Sequence, residues 1–426
     1  MILNYIWIAF FLIALLVAII RTACYFLQQG LDITFWTTFN SSDRDVFIDI
    51  VHSTFSMAES SVKISIYLIG IMTLWLGIMK IGQNGGAINM LSRLVSPFFR
   101  RIFPDIPKDH PAFVAILMNF CANMLGLDNA ATPFGLKAMN ELQTINPNKD
   151  TASNPQIMFL VLNTCGMTII PVSIIALRAA SGSANPADIF LPLLLSTFCA
   201  TIVGLIVVSI VQRINLLNKV VLLYVGGLSI LIALLFTFIQ HLTQYRLNLF
   251  SVLSGNFILF GFIIFFILIG LFKKINIYDS FIEGAKEGFG VAVKIIPYLV
   301  AMLVGIGVFR ASGAMDFIMN GLSSFFGLFG FDTSFVPALP TAIMKPLSGS
   351  GARGMMVETM KTFGADSFQG RLSSIFQGST ETTFYTVAVY YGAVNIAKTR
   401  YTIPCGLIAD LAGVLASIFW AYVFFG

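Results

Sequence analysis

"IMKPLSGSGARGMMVETM", Ile343 to Met360, gathers a lysine, an arginine, two serines, three glycines, a proline and a glutamate within an otherwise apolar chain. Of the 426 residues, 57% are hydrophobic and 11% charged, 41 are Phe, and the mean hydropathy is +0.87. Soluble domains carry about 25% charged residues. Apolar runs of about 20 residues recur along the whole length, so the chain is read as an all-α polytopic membrane protein. In hydrocarbon every backbone N–H and C=O needs a partner, and irregular backbone persists only against protein or a water-filled cavity. The Ser348–Gly351 run is therefore expected at the tip of a re-entrant hairpin buried in the bundle.

Nine spans are expected: Ile2–Leu27, Val62–Met79, Gln156–Leu177, Asp188–Val211, Val220–Gln240, Phe250–Phe272, Val291–Phe309, Leu372–Val394 and Thr402–Phe425. Two further apolar stretches, Pro111–Asn140 and Val336–Met360, are broken at "NMLGLDNAATP" and "KPLSGSGARG" and read as re-entrant hairpins. "GAINMLSRLVSPFFRRIF" and "GAMDFIMNGLSSFFGLFG", before them, are weakly amphipathic and expected along the interface. With the N-terminus in the cytoplasm and the C-terminus outside, cytoplasmic loops receive Arg93, Arg100, Arg101, Lys108, Lys149, Arg213, Lys219, Lys273, Lys274, Lys286, Lys398 and Arg400. The outer loops receive Arg44, Arg178, Arg246, Lys361 and Arg371. This positive-inside bias emerges only if neither hairpin crosses. The first segment lacks a basic leader and a small-residue cleavage site, so a retained helix is expected. The five cysteines and three histidines are too scattered for a disulfide framework or a zinc site.

The two halves resemble each other. "VKISIYLIGIMTLWLGIMKIGQNGGAINML" aligns with "VKIIPYLVAMLVGIGVFRASGAMDFIMNGL", pairing Lys63 with Lys294, Gly82 with Gly313 and Leu91 with Leu322. Each copy continues through interfacial helix, hairpin, interrupted helix and final helix. Each unit crosses three times and two spans join them, so the units are expected as inverted repeats. That arrangement belongs to transporters, with a site at the midplane where broken helices meet. The alternative is duplication in a purely structural membrane protein.

Lys345 and Arg353 flank the Ser348/Ser350 tip, where the free N–H groups of the following helix suit an anion or a carbonyl oxygen. Charge at membrane depth marks a functional site by default; the competing reading is a structural ion pair with Glu358, Glu381 or Asp410. "QGSTETTFY" offers Gln377, Ser379, Thr380, Glu381 and Thr382, with Gly378 favouring an unwound helix. Glu381 suits ligand hydroxyls or amines, a cation, or a coupling proton. Plain helix packing would also use Ser and Thr there. In the first unit Asn119, Asn123, Asp128, Asn129 and Thr132 lie at the hairpin, with Asn163 and Thr164 at the matching break; interhelical hydrogen bonds of about 0.6–2 kcal/mol each are the plainer reading of the asparagines.

"KPLSGSGARGMM", "DSFQGRLSSIFQGSTETTFYTVAVYYG" and "GLIADLAG" resemble spore maturation protein B. "IWIAFFLIALLVAI" and "FCANMLGLDNAATPFGLKAMNELQ" resemble spore maturation protein A. The resemblance covers nearly the whole chain, as an A–B fusion: residues 1–217 A-like, 218–273 two connecting spans, 274–426 B-like. Both relatives belong to the nucleoside-recognition, or Gate, group, which includes parts of ferrous-iron transporters and is related to concentrative nucleoside carriers. The resemblance implies a membrane protein connected, in spore formers, with late dehydration of the spore core. The expected function is secondary transport of a small polar or charged metabolite, with nucleoside-like solutes suggested by the family label alone. The alternatives are an ion channel constricted at Glu381 and Asp128, or a non-transporting envelope assembly protein. No nucleophile–base pair, nucleotide loop or metal cluster suggests an enzyme. No cofactor or nucleic acid is expected. The coupling ion, proton or Na+, stays open, and the setting is a homo-oligomer in the cytoplasmic membrane.

Overall fold

The computed structural model describes residues 2–31, 38–107, 109–166 and 168–426, without the side chains of residues 2, 3, 31, 128–130 and 244. Among the described residues the protein is helical, with one isolated β-bridge between Thr151 and Lys398. Seven helices or helical runs are long and apolar enough to cross a membrane. They are α1 (Ile2–Leu31), α3 (Val46–Asn84), α9 (Phe190–Gln212), the run α10–α11 (Lys219–Gln240), α12 (Gln244–Phe272), α13 (Ile277–Ala311) and α19 (Thr402–Phe425). A four-residue helix, α2 (Ser41–Arg44), precedes α3, while α10 (Lys219–Val221) runs through a π turn at Leu222–Gly226 into α11 (Gly227–Gln240). The chain is thus a polytopic membrane protein.

The remaining helices are shorter. α4 (Ala87–Ile102) is followed by the hairpin α5 (Pro111–Met124) and α6 (Asp128–Thr144), then by a helix interrupted between α7 (Asn154–Thr164) and α8 (Val172–Ala180). The second half repeats this order. α14 (Ala314–Leu328) leads to a hairpin made of a 3-10 turn at Val336–Ala338, α15 (Leu339–Met344) and α16 (Gly349–Phe363). The interrupted helix α17 (Phe368–Ser379) and α18 (Thr383–Ala393) follows. Start signals are local: Pro111 opens α5 behind a His110 cap, Ser153 and Gln156 form a capping box for α7, and Ser367 caps α17. The polar stops at the expected Gly378–Thr382 break are placed slightly later, because Gly378 and Ser379 stay helical and only Thr380–Thr382 unwinds.

α3 and α13 are far longer than the apolar runs within them. At 1.5 Å per residue, 39 residues reach about 58 Å, roughly twice a hydrocarbon core. Their N-terminal portions, "VFIDIVHSTFSMAESS" and "IYDSFIEGAKEGFG", carry charges yet no proline, so the helices continue beyond the hydrophobic window. The two pack antiparallel. Ser53 and Met57 meet Gly307, Met72 meets Gly288, Leu76 meets Gly284 and Phe281 covers Gly77. A Cβ on Gly288 would stand 2.5 Å from the Met72 carbonyl oxygen, so glycine sets this close approach. Lys80 closes the seam with Glu283 and Glu287, at 3.0 and 2.8 Å.

Loop contacts sort into two ends. At one, Ala397 N donates to Asp150 O (3.0 Å), Arg400 Nη1 to Ala152 O (2.9 Å) and Gln212 Nε2 to Asn154 O (2.9 Å). Lys398 there holds the Asp150 carboxyl below its ordinary range. At the other, Tyr422 Oη donates to Asp332 Oδ2 at 2.7 Å, Lys361 Nζ to Ser60 Oγ at 2.8 Å, and Arg178 pairs with Asp366. The Tyr422 bond, with Ser334 N–H, holds Asp332 below the usual carboxylate range. α19 begins at the first end and finishes at the second, about 36 Å away. The open ends of the two hairpins, near Thr144 and near Gly364, thus lie at opposite ends of the molecule.

Arg178 and Arg371, expected in outer loops, are part of a network joining the halves. Arg178 is 0% exposed; its Nη2 pairs with Asp188 and Asp366, each at 2.9 Å, and its Nη1 donates to Ala365 O. Arg371 Nε reaches the other Asp188 oxygen at 2.7 Å. Each charge is opposed and hydrogen-bonded, which is what allows a guanidinium to be buried.

Candidate functional site

The two breaks and the two hairpin tips meet. Glu381 N donates to Thr164 O at 2.8 Å, joining one break directly to the other. Gly166, at φ +62, lies so close that a Cβ would stand 2.9 Å from the Thr380 carbonyl carbon. The first tip turns at Gly126 (φ +71), where a Cβ would come 2.6 Å from Ile170 O, and Ile169 N donates to Met124 O at 2.8 Å. Across the second tip, Phe384 N donates to Pro346 O at 3.1 Å. Both tips are therefore tied to broken helices through backbone that irregular structure leaves free.

Between them lies a cavity of about 260 Å³. Its polar lining includes Asn123 and Thr132 from the first hairpin, Asn163 and Thr168 from the first break, Lys345 and Arg353 from the second hairpin, and Gln377, Glu381 and Tyr390 from α17 to α18. Met72, Leu76 and Val291 complete one wall from α3 and α13. The asparagines form a chain: Asn123 Nδ2 donates to Asn163 Oδ1 at 2.9 Å, and Asn163 Nδ2 to Phe159 O at 2.8 Å. Asn119, one turn back, is fully buried and ties the hairpin arms together by donating to Ala131 O at 2.8 Å. It has the structural role that was the plainer reading.

Gln377 is buried, lines the cavity, and its Oε1 has no hydrogen-bond partner among the described residues. Lys345 is buried, Arg353 half-buried and Glu381 exposed on the cavity wall. Among the described residues neither Arg353 nor Glu381 makes an ion pair: Glu358, a proposed partner of Arg353, is held by Arg310, with Nη2 donating to Oε2 at 2.8 Å. An amide oxygen, an anion and a cation thus face one space. Buried polar atoms left without partners mark a place built to receive some.

Seven of the expected site residues line the cavity: Asn123, Thr132, Asn163, Lys345, Arg353, Gln377 and Glu381. Ser348 instead caps α16 by accepting from Gly351 N at 3.0 Å, with Ser350 beside it (3.3 Å), and Thr382 packs against Gly349 at the tip. Thr164, Ser379 and Thr380 lie on the far side of the breaks, against α19. The side chains of Asp128 and Asn129 lie outside the described residues. Tyr390 and Thr168 were missed, since an isolated tyrosine or threonine near an apolar run carries no pattern.

A family model described as nucleoside recognition, Gate, matches residues 65–181 and 292–397. Every cavity-lining residue but Val291 falls inside those stretches. Spore maturation protein B of Bacillus subtilis (strain 168) is 49% identical over 160 residues, 38% of this chain and 88% of that protein. Spore maturation protein A of the same organism is 42% identical over 159 residues, 37% of this chain and 81% of that protein. No solved structure matches the chain at comparable significance. Two stretches of one family, and similarity to an A and a B protein, place the chain in the Gate nucleoside-recognition family, consistent with a fusion of spore maturation proteins A and B.

Proposed function

We propose that the protein is a secondary transporter of a small polar or charged metabolite, bound between the hairpin tips and the crossed breaks. The observation that carries this reading is a cavity lined by both repeats that holds a Gln377 oxygen and two charges, Arg353 and Glu381, which among the described residues have no hydrogen-bond and no ion-pair partner respectively. Its volume of about 260 Å³ falls just short of the usual range for drug-sized ligands, about 300 to 1,000 Å³, which suits a small solute. The family's description makes nucleoside-like solutes the first to test.

Nine crossings, seven continuous and two interrupted, belong to the same reading, as do two inverted repeats. Support comes from α3 and α13. They are equivalent in the sequence alignment, in which Lys63, Gly82 and Leu91 precede their partners by one constant offset, yet they pack antiparallel. Equivalent helices packed this way imply a two-fold axis perpendicular to both, hence in the membrane plane. The basic loops at the Asp150–Lys398 end favour that end as cytoplasmic, in an inner-membrane homo-oligomer.

The test is a thermal-shift screen of nucleosides, nucleobases and other small metabolites on purified protein, followed by uptake into vesicles. Saturable, ion-dependent uptake supports the carrier; non-saturating conductance would replace it with a channel, and neither activity would leave assembly.

A further inference from the structure

The hydroxyls turned away from the cavity gather on one face of α19. A Cβ at Gly406 would stand 2.9 Å from Thr383 Cγ2 and 3.4 Å from Thr164 Oγ1. At Gly413 it would stand 2.8 Å from Thr380 Cγ2 and 3.5 Å from Ser379 Oγ. Between these glycines, on the same helical face, lies Asp410, 4% exposed. Its Oδ2 accepts from Thr383 Oγ1 at 2.6 Å, and Thr380 lies beside the carboxylate. Its Oδ1 is buried with no hydrogen-bond partner among the described residues. A carboxylate oxygen left bare at membrane depth is costly unless something positive occupies it.

Two half-helices, α7 and α17, end at this place, and the C-terminal ends of broken helices carry partial negative charge and carbonyl oxygens suited to a cation. The donors are hard oxygens, with a single full negative charge among them, which matches a hard monovalent ion better than a divalent one. The charged and titratable groups that act on Asp410 from its surroundings are Lys345 from the second hairpin, Glu381 from the break and Cys165 at the end of α7. The Cys165 thiol donates to Val161 O at 3.0 Å and supplies no charge.

We propose that Asp410, with the hydroxyls of Thr380 and Thr383, binds Na+ behind the crossed breaks. The unwound segment Thr380–Thr382 then has the ion on one side, through Thr380, and the solute cavity on the other, through Glu381. Filling either side fixes the backbone that the other side uses, so each ligand favours binding of the other. The coupling role rests on the transport reading; Na+ binding itself does not.

The experiment melts the purified full-length protein in increasing NaCl against choline chloride of equal ionic strength, and repeats the metabolite screen with and without Na+. Wild type should show a saturable rise in Tm with Na+ that Asp410→Asn abolishes. Thr383→Val, which keeps the carboxylate, should move the midpoint to about tenfold higher Na+, the loss expected for one oxygen ligand, and serves if Asp410→Asn does not fold. No Na+ effect on wild type, or an equal effect in Asp410→Asn, overturns the site. A Tm that follows pH through Asp410 and ignores Na+ overturns it too, by placing a proton there. A Na+ response lost in Asp410→Asn with no metabolite response in any protein upholds the ion site and sinks the transport reading.

Discussion

Glu381 and Arg353 line one cavity with opposite charges and no ion-pair partners among the described residues, so neither is required to neutralise the other. Glu381 is exposed, and replacing it by Gln removes charge without leaving a buried partner bare. Glu381→Gln is expected to abolish solute-induced thermal shift and vesicle uptake while leaving the apo Tm nearly unchanged. Loss of apo stability with transport intact would make it a structural residue. Arg178→Ala should behave oppositely. It leaves Asp188 in the core with Arg371 as its remaining cation, so the loss should fall below the about 3–5 kcal/mol of a buried charge left with no partner, readable as an apo Tm drop with no selective effect on solute. Glu381 was legible in the sequence because a carboxylate flanked by hydroxyls interrupts an apolar span. The Arg178 network was not. Its members, at 178, 188, 366 and 371, are brought together only by the fold, and each alone reads as a loop charge. Nor does sequence tell which side of a break faces the cavity, which is why Thr164 and Thr380 were grouped with residues they turn away from.

Hairpins and interrupted helices act as one element, since backbone groups freed at the breaks are satisfied at the other break or at a hairpin tip. Gly166→Ala tests this. It forces a side chain into a φ of +62 and against the Thr380 carbonyl carbon, at a cost of roughly 1–3 kcal/mol. The expected outcome is a lowered Tm together with weakened solute response, whereas the same change at Gly182, also left-handed but open to space, should lower stability without touching solute response. A solute response unaffected at Gly166 would separate the breaks from the site. The positions of these elements were legible because polar and small residues in an apolar run cannot be ordinary packing twice over. The lengths of α3 and α13 were not, because hydropathy reports where a helix meets lipid and not where it ends.

The contacts of the whole molecule fall into two ends, and the proposed orientation assigns them to opposite faces of the membrane. Single cysteines at Lys149 and Lys361, both exposed at opposite ends, should react with a membrane-impermeant thiol reagent from the cytoplasm and from outside respectively, in a background with the native cysteines removed. Labelling of both from one side would undo the topology and with it the inverted relation of the hairpins. The glycine-lined pairing of α3 with α13 carries a further consequence. The seam, the Arg178 network and the Thr164–Glu381 bond all join residues before the two connecting spans to residues after them. Covalent continuity across those spans therefore adds little to recognition. A gene cut in the exposed turn near Leu217 and expressed as two fragments should yield polypeptides that find one another in the bilayer and co-purify, and Gly288→Val on one fragment should prevent that reunion.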